Sequence, residues 1–286
     1  MGVEITWWGH ATVALRDSGV RVLTDPLLVR RLAHLRRRRG AVPPPEAAGA
    51  ELVLVSHLHA DHLHVGSLAR VPAGATVLLP RGARAAVPAL RRLRGRLRLV
   101  EVVPGDRLAF GPLDVRVVPA AHDGRRIALG PQRAPALGYV VTGEARTYFA
   151  GDTGLFDAMA EEVGPCDVAL LPVGGWGPFL GHGHLNPERA AVALARLGAP
   201  AAVPVHYGTY WPIGMDGVRP REFHTPGLDF VQEAARVAPA ASVHRLAHGE
   251  SVTLAPAPPG RVGGRGRAGG RGPDLRGESG REGGAG

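Results

Sequence analysis

The stretch ELVLVSHLHADH, residues 51–62, decides how the rest of the chain is read. An apolar, strand-like run ends at Ser56, and His57, His59, Asp61 and His62 follow within residues 57–62. If the extended backbone continues briefly past the strand, His57 and His59 point to one side, because side chains alternate along a strand. The next turn then brings Asp61 and His62 round to a neighbouring position. Imidazole nitrogens and carboxylate oxygens suit zinc and related divalent ions, so the segment reads as a metal cradle at a strand end. A solvated histidine-rich loop is the competing reading, and the buried-type strand feeding the H-x-H-x-D-H spacing weighs against it.

The same pattern recurs outward from this stretch. VRVVPAAHDG carries His122, TYFAGDTG carries Asp152 and AAVPVHYGTYW carries His206. Each is an apolar run, then one potential ligand, then glycine or a loop. Ligands at the ends of four separate strands are how a sheet assembles a site along one edge. Other apolar runs, among them Val3–Trp8, Val20–Thr24, Thr76–Leu79, Leu97–Val103, Leu137–Thr142 and Val168–Pro172, read as further strands. Helical spacing predicts Arg81–Leu93, which Pro88 should kink, then Asn186–Leu197 and Gly227–Val237. Asn186 and Pro187 open the second of these as an N-cap and a first-turn proline. The mixture predicts an α/β or α+β layered fold with long functional loops.

Composition bounds the reading. The chain has 286 residues with 34 basic against 25 acidic, a formal charge of +9, and every basic residue is arginine. At 45% hydrophobic and 21% charged it falls in the globular range. Its glycines follow no three-residue period, which excludes collagen. The composition shift predicts one folded unit over residues 1–256 and a disordered Gly/Arg/Pro-rich tail over 257–286. Cys166 is the single cysteine, which excludes an intrachain disulfide and fits a reducing, cytoplasmic setting. No signal peptide is expected, since the start lacks a basic region before an apolar one. MGVEIT matches a myristoylation pattern at Gly2 but reads as the beginning of a strand. No apolar run is long enough to span a bilayer as a helix.

The ligand series His57, His59, Asp61, His62, His122, Asp152 and His206, in that order, resembles the metallo-β-lactamase fold superfamily. The flanking motifs ITWWGHATVAL, FAGDTGLF, LLPVGGWGP, GHLNPERAA and VHYGTYWP narrow the likeness. They resemble the branch that contains bacterial L-ascorbate-6-phosphate lactonase and the phospholipase D that hydrolyses N-acyl-phosphatidylethanolamine. The resemblance implies a four-layer αββα sandwich with two divalent metal ions between its sheets. It implies His57, His59 and His122 on one ion, Asp61, His62 and His206 on the other, and Asp152 bridging. Zinc is the first expectation, and manganese or iron suits the same donors. The implied reaction is hydrolysis of a small ester, lactone or phosphodiester, with Asp61 orienting the nucleophile. His10 and His184 match histidines that lie near the pocket in the family, where each would bind substrate or protonate a leaving group; a hydrogen-bonded core role for His10 and a capping role for His184 compete. Arg125 and Arg126, close after His122, are candidates to hold a substrate phosphate or carboxylate. Trp176 and Tyr207 are candidates for the pocket wall, in a cluster with Phe179, Tyr210 and Trp211. The expected partner is thus a small, anionic molecule.

The arginines support a second hypothesis. Arg30, Arg31 and Arg36 to Arg39 form one block, and Arg91, Arg92, Arg94, Arg96 and Arg98 another. Such blocks attract nucleic acid or an anionic membrane. A nucleic-acid-binding protein, or a nuclease of the same fold, recruited by its arginines is therefore the alternative function. RRLAHLRRRR, with Leu32 and Leu35, is also imaginable as a short membrane-touching helix that gives peripheral contact. A solvated surface is the ordinary meaning of such runs, so nucleic acid is not the leading partner. Nothing in the sequence specifies an oligomeric state.

Overall fold

The computed structural model describes residues 2–126 and 134–256, and the expected tail at 257–286 lies outside them. Two seven-stranded sheets form the body. The first runs in the order Ser251–Leu254, Val3–Gly9, Thr12–Asp17, Val20–Thr24, Leu52–Leu54, Thr76–Pro80, Arg98–Val102. Its pairing is antiparallel as far as Val20–Thr24 and parallel beyond. The second runs Ser242–Val243, Ala201–Val205, Val168–Pro172, Arg146–Phe149, Leu137–Thr142, Leu113–Pro119, Arg107–Phe110. It is parallel over its first four strands and antiparallel over the rest.

Burial explains the layering. Val3–Gly9 alternates buried and partly exposed residues along its whole length, the period-two pattern of a strand packed hard on one face. Its inward residues Val3, Ile5 and Trp7 share one apolar cluster with Val115, Val117 and Tyr139 of the second sheet. On the opposite face of the first sheet, Leu23, Val53, Val77 and Leu79 pack with Leu63, Leu68, Leu90 and Leu93. The helices Pro187–Leu197 and Pro226–Val237 close the second sheet with Ala190, Leu194, Phe230 and Ala234. The order is helix, sheet, sheet, helix, as the resemblance implied.

Local sequence accounts for the helices. Asn186 Oδ1 accepts the Arg189 N–H at 2.9 Å, and Gly198 ends the helix at φ +62°, so both terminal signals operate. Pro88 divides the expected helix at 81–93 into an α-helix at Ala83–Ala86 and a 3-10 helix at Pro88–Leu93.

The basic block at 30–39 corrects an expectation. It is a β-hairpin, with Arg31 opposite Arg36 and Leu32 opposite Leu35, and it adds Tyr210–Pro212 as a third strand. Leu35 is buried with Leu27 and Tyr210, which fixes the strand face and rules out the short membrane-touching helix. Arg37 is buried and donates to the carbonyls of Trp8 and Gly40. Arg38 pairs with Asp216, and Arg39 donates to His224 Nδ1. No helix among the described residues is long and apolar enough to cross a membrane.

Topology then positions the site. Asp25, Ser56, Ala150 and His206 stand at or just beyond the carboxyl ends of strands that share one direction within their sheets. In open α/β sheets, ligands bind in the crevice outside those ends.

Candidate metal centre

His57, His59 and His122 form one cluster of ring nitrogens, and His10, Asp61, His62 and His206 form a second. In the first, His57 Nε2 lies 2.8 Å from His59 Nδ1, and His122 Nε2 lies 3.4 Å from the same atom. In the second, His62 Nε2 lies 3.0 Å from His206 Nε2, while Asp61 Oδ2 is 3.4 Å from His62 Nε2 and 3.8 Å from His206 Nε2. Asp152 lies between the clusters. Its Oδ2 is 3.2 Å from His62 Nε2 and 4.0 Å from His57 Nε2, and its Oδ1 is 3.3 Å from His206 Nε2.

The donor set suits a divalent ion. Asp152 Oδ1 is buried and makes no hydrogen bond despite its closeness to His206. Buried carboxylate oxygens are costly without a partner. Imidazole nitrogens as close as 2.8 and 3.0 Å need a proton or a cation between their lone pairs. All of these donors are nitrogen or oxygen, the set that zinc, manganese and iron accept.

The rings are aimed from behind. His122 Nδ1 donates to the Gly183 carbonyl and His206 Nδ1 to the Gly174 carbonyl, each at 3.0 Å, which turns both Nε2 atoms inward. His62 Nδ1 reaches Asp25 Oδ2 at 2.7 Å. Asp25 also accepts the Ser56 N–H at 2.7 Å and the Ser56 hydroxyl at 2.6 Å. Ser56 Oγ, its own proton given to Asp25, accepts from His57 Nδ1 at 3.0 Å. One buried carboxylate thereby orients a histidine of each cluster.

Asp25 is the residue that sequence reasoning missed. The signal was present, since VRVLTDP is another apolar strand ending in one carboxylate. Asparagine at position 25 should keep the shape but lower metal affinity roughly 10–100-fold, the usual cost of losing an outer hydrogen-bond partner. Titration against a competing chelator measures this, and unchanged affinity contradicts the role.

Protonation follows from burial and charge. Burial, with the charge of His62, drives the His57 ring well below the ordinary histidine value, and burial alone leads for His59. His122 is pushed down to about 4 by burial. Asp61 and Asp152 resist the upward pull of burial and stay well below the carboxylate range, because His62, His206 and their neighbours hold the charge. His62 moves well above its ordinary value despite burial, through Asp152, Asp61 and Asp25.

Of the remaining candidates, His10 and His184 stand at the centre. His10 sits behind Asp61, 1% exposed, with Nε2 at 2.8 Å from Asp61 Oδ2. Burial and the neighbouring His206 push it down to about 4, so the neutral ring donates that hydrogen bond. Its carbonyl accepts from the Trp7 indole and from the His206 N–H, both at 2.9 Å. His10 and His206 both hold positive φ, +54° and +61°, and this network secures the strain. His184 stands on the other side, with Nε2 at 3.4 Å from Asp152 Oδ2. Burial pulls its ring down, but the hydrogen bond and charge of Asp152 raise it overall.

A cavity of about 240 Å³ opens beside Asp152, His184 and His206, with Trp176, Phe179 and Leu180 on its apolar side. Trp176 is therefore where the sequence suggests. Tyr207 is not, because its ring is buried and stacked on Trp7 at 5.0 Å. Neither adjacent arginine reaches the centre. Arg125 is bound to Asp123 through Nε at 2.8 Å. Arg126 donates to the carbonyls of Leu58 and Leu63, at 2.9 and 2.8 Å, and so braces the HLHADH loop.

Comparison with known proteins agrees with this geometry. Residues 20–207 match the beta-lactamase superfamily domain. The chain is 33% identical over 237 residues to a UPF0173 metal-dependent hydrolase of Methanopyrus kandleri, covering 79% of this chain and 94% of that protein. It is 30% identical over 241 residues to the N-acyl-phosphatidylethanolamine-hydrolyzing phospholipase D 1 of Caenorhabditis elegans, covering 74% of this chain and 65% of that longer one. In fold it resembles a metallo hydrolase from the archaeon Ignicoccus hospitalis, with a TM-score of 0.66 at 23% identity over 89% of this chain and 99% of the other. Sequence, fold and donor geometry meet in one conclusion: the chain belongs to the metallo-β-lactamase superfamily, among its metal-dependent hydrolases.

Proposed function

We propose that the chain hydrolyses a small ester, lactone or phosphodiester with two divalent metal ions, zinc first among them. The supporting observation is Asp152, whose buried carboxylate lies within 4.0 Å of nitrogens from both clusters and keeps one oxygen free of hydrogen bonds. On this reading His57, His59 and His122 would hold one ion and Asp61, His62 and His206 the other, with Asp152 available to both. Such ions supply Lewis-acid polarisation of a substrate oxygen and lower the pKa of water toward about 7.

The chain's own groups do the rest. Neutral His10 donates Nε2–H to Asp61 Oδ2 and leaves the other carboxylate oxygen to orient the attacking water and take its proton. His184, whose affinity for a proton is raised, gives its own Nε2 proton to the leaving oxygen, so Asp61 gains one proton as His184 loses one. Trp176, Phe179 and Leu180 keep bulk water from one wall of the cavity.

Chelation tests the reading. Stripped protein should hydrolyse lactones, phosphodiesters and N-acyl phospholipids only at background rate. Activity should return with zinc, manganese or iron(II), at about two equivalents per chain. Undiminished hydrolysis by metal-free protein sinks the mechanism.

A further inference from the structure

The cavity beside Asp152 does not end at its apolar wall. A second cavity of about 320 Å³ adjoins it and shares Leu180, Gly181 and His184. The character of the lining changes across that ridge. On the far side the side chains are His182, Asn186, Arg189, Arg219 and Glu222.

The two arginines are held differently. Arg189 lies in the first turn of the helix Pro187–Leu197, where its backbone N–H is used by Asn186. Its guanidinium has no hydrogen bond or ion pair among the described residues. Arg219 is pinned over the Phe179 ring, 5.3 Å from its centroid, and donates to the Pro178 carbonyl at 3.2 Å. Its one acidic partner among the described residues, Glu222, stands 3.7 Å away with both side chains about half exposed. An exposed pair at that distance contributes little and yields readily to a better acceptor. Two guanidinium groups against one loosely paired carboxylate leave the cavity with net positive character. Guanidinium forks match the oxygens of carboxylate and phosphate.

We propose that this second cavity is a subsite for an oxyanionic group on the uncleaved part of the substrate, a carboxylate or a phosphate gripped between Arg189 and Arg219. The inference rests on the hydrolytic reading above and narrows it. The substrate is an anionic ester or lactone with three parts. Its reacting group lies at Asp152, an apolar stretch crosses Trp176, Phe179 and Leu180, and a charged end lies beyond the Leu180–Gly181 ridge. Asn186 and His182 stand beside the charged end as further polar partners. Binding energy gathered at a remote charged end is available to orient the reacting bond.

Two measurements on the full chain test this. Metal-loaded protein is given 4-nitrophenyl butyrate and mono(4-nitrophenyl) glutarate, which share a leaving group and differ by a carboxylate. Wild type should favour the glutarate ester by about tenfold or more in kcat/KM. That preference should collapse toward unity in Arg189→Gln/Arg219→Gln, through KM. Arg189→Gln alone changes a guanidinium with no role in the fold and should lose part of the preference. Separately, metal-stripped protein is titrated with glutarate and with inorganic phosphate. Either should bind wild type at least about tenfold more tightly than the double variant, and the tighter probe identifies the group. No binding of either probe, equal binding by wild type and variant, or no preference between the esters overturns the subsite. Arginine-dependent probe binding without hydrolysis of either ester, or of any lactone or phosphodiester tried, leaves the subsite standing and removes the hydrolytic reading. Hydrolysis without any arginine dependence does the reverse.

Discussion

Alanine at position 152 should bring hydrolysis down on the order of 10³-fold or more, the scale seen when one preorganised charge is taken from a catalytic site. Among the described residues, Asp152 is the single carboxylate within 4.0 Å of His57, His62 and His206 nitrogens together. Without it the two clusters share no ligand, and the buried His62 loses the first of the charges that raise its pKa. Metal content by atomic spectroscopy should fall alongside kcat, while circular dichroism stays native because no backbone group among the described residues bonds to the Asp152 side chain. Asp152→Asn separates charge from shape, since it keeps the volume and should still lose most of the activity. Full metal content and normal turnover in either variant would disprove the bridging role.

The neighbouring residue carries the second large effect, this time on stability. Gly151 has φ +60°, and a Cβ there would lie 2.5 Å from Ser56 Cβ and 2.9 Å from the Leu137 carbonyl oxygen. An L-residue in that conformation costs roughly 1–2 kcal/mol, and overpacking a closed site adds about 1–3. Gly151→Ala should therefore destabilise the chain by about 2–5 kcal/mol, read from chemical denaturation. The displaced neighbour matters as much as the energy. Ser56 is bonded to Asp25 and His57, so pushing it should loosen metal binding in the molecules that remain folded. Wild-type stability would show that the backbone there relaxes at no cost.

The parts legible in the sequence are those where local pattern and tertiary role coincide. HLHADH follows its own strand, and all four of its candidate donors converge. Asn186 caps the helix it precedes. What stayed hidden depends on distant partners. The hairpin at Arg31–Arg37 is completed by Tyr210–Pro212 from the far end of the chain, and a run of arginines gives no hint of that pairing. Tyr207 follows His206, but the strand ends at Val205 and the left-handed turn at His206, φ +61°, leaves the His206 ring at the centre and the Tyr207 ring on Trp7. Arg125 and Arg126 stand close to His122 in sequence, yet Asp123 and two loop carbonyls lie within easier reach. Asp25 was visible as a strand-end carboxylate, but its task of turning two histidines exists only once Ser56 and His62 fold beside it.

A chain with one cysteine has no covalent staple of its own. The clustered nitrogens offer a substitute. Two ions, one on His57 and one on His206 with Asp152 common to both, would tie together points roughly 150 residues apart, a span over which a cross-link restricts the unfolded chain by on the order of 4–5 kcal/mol. Metal loading would then add to the stability of the fold, since the donors gather only in the folded state. A molecule starved of metal would be easier to open and to digest as well as inactive. The abundance of the protein in a cell would thus follow its metal supply with no dedicated sensor.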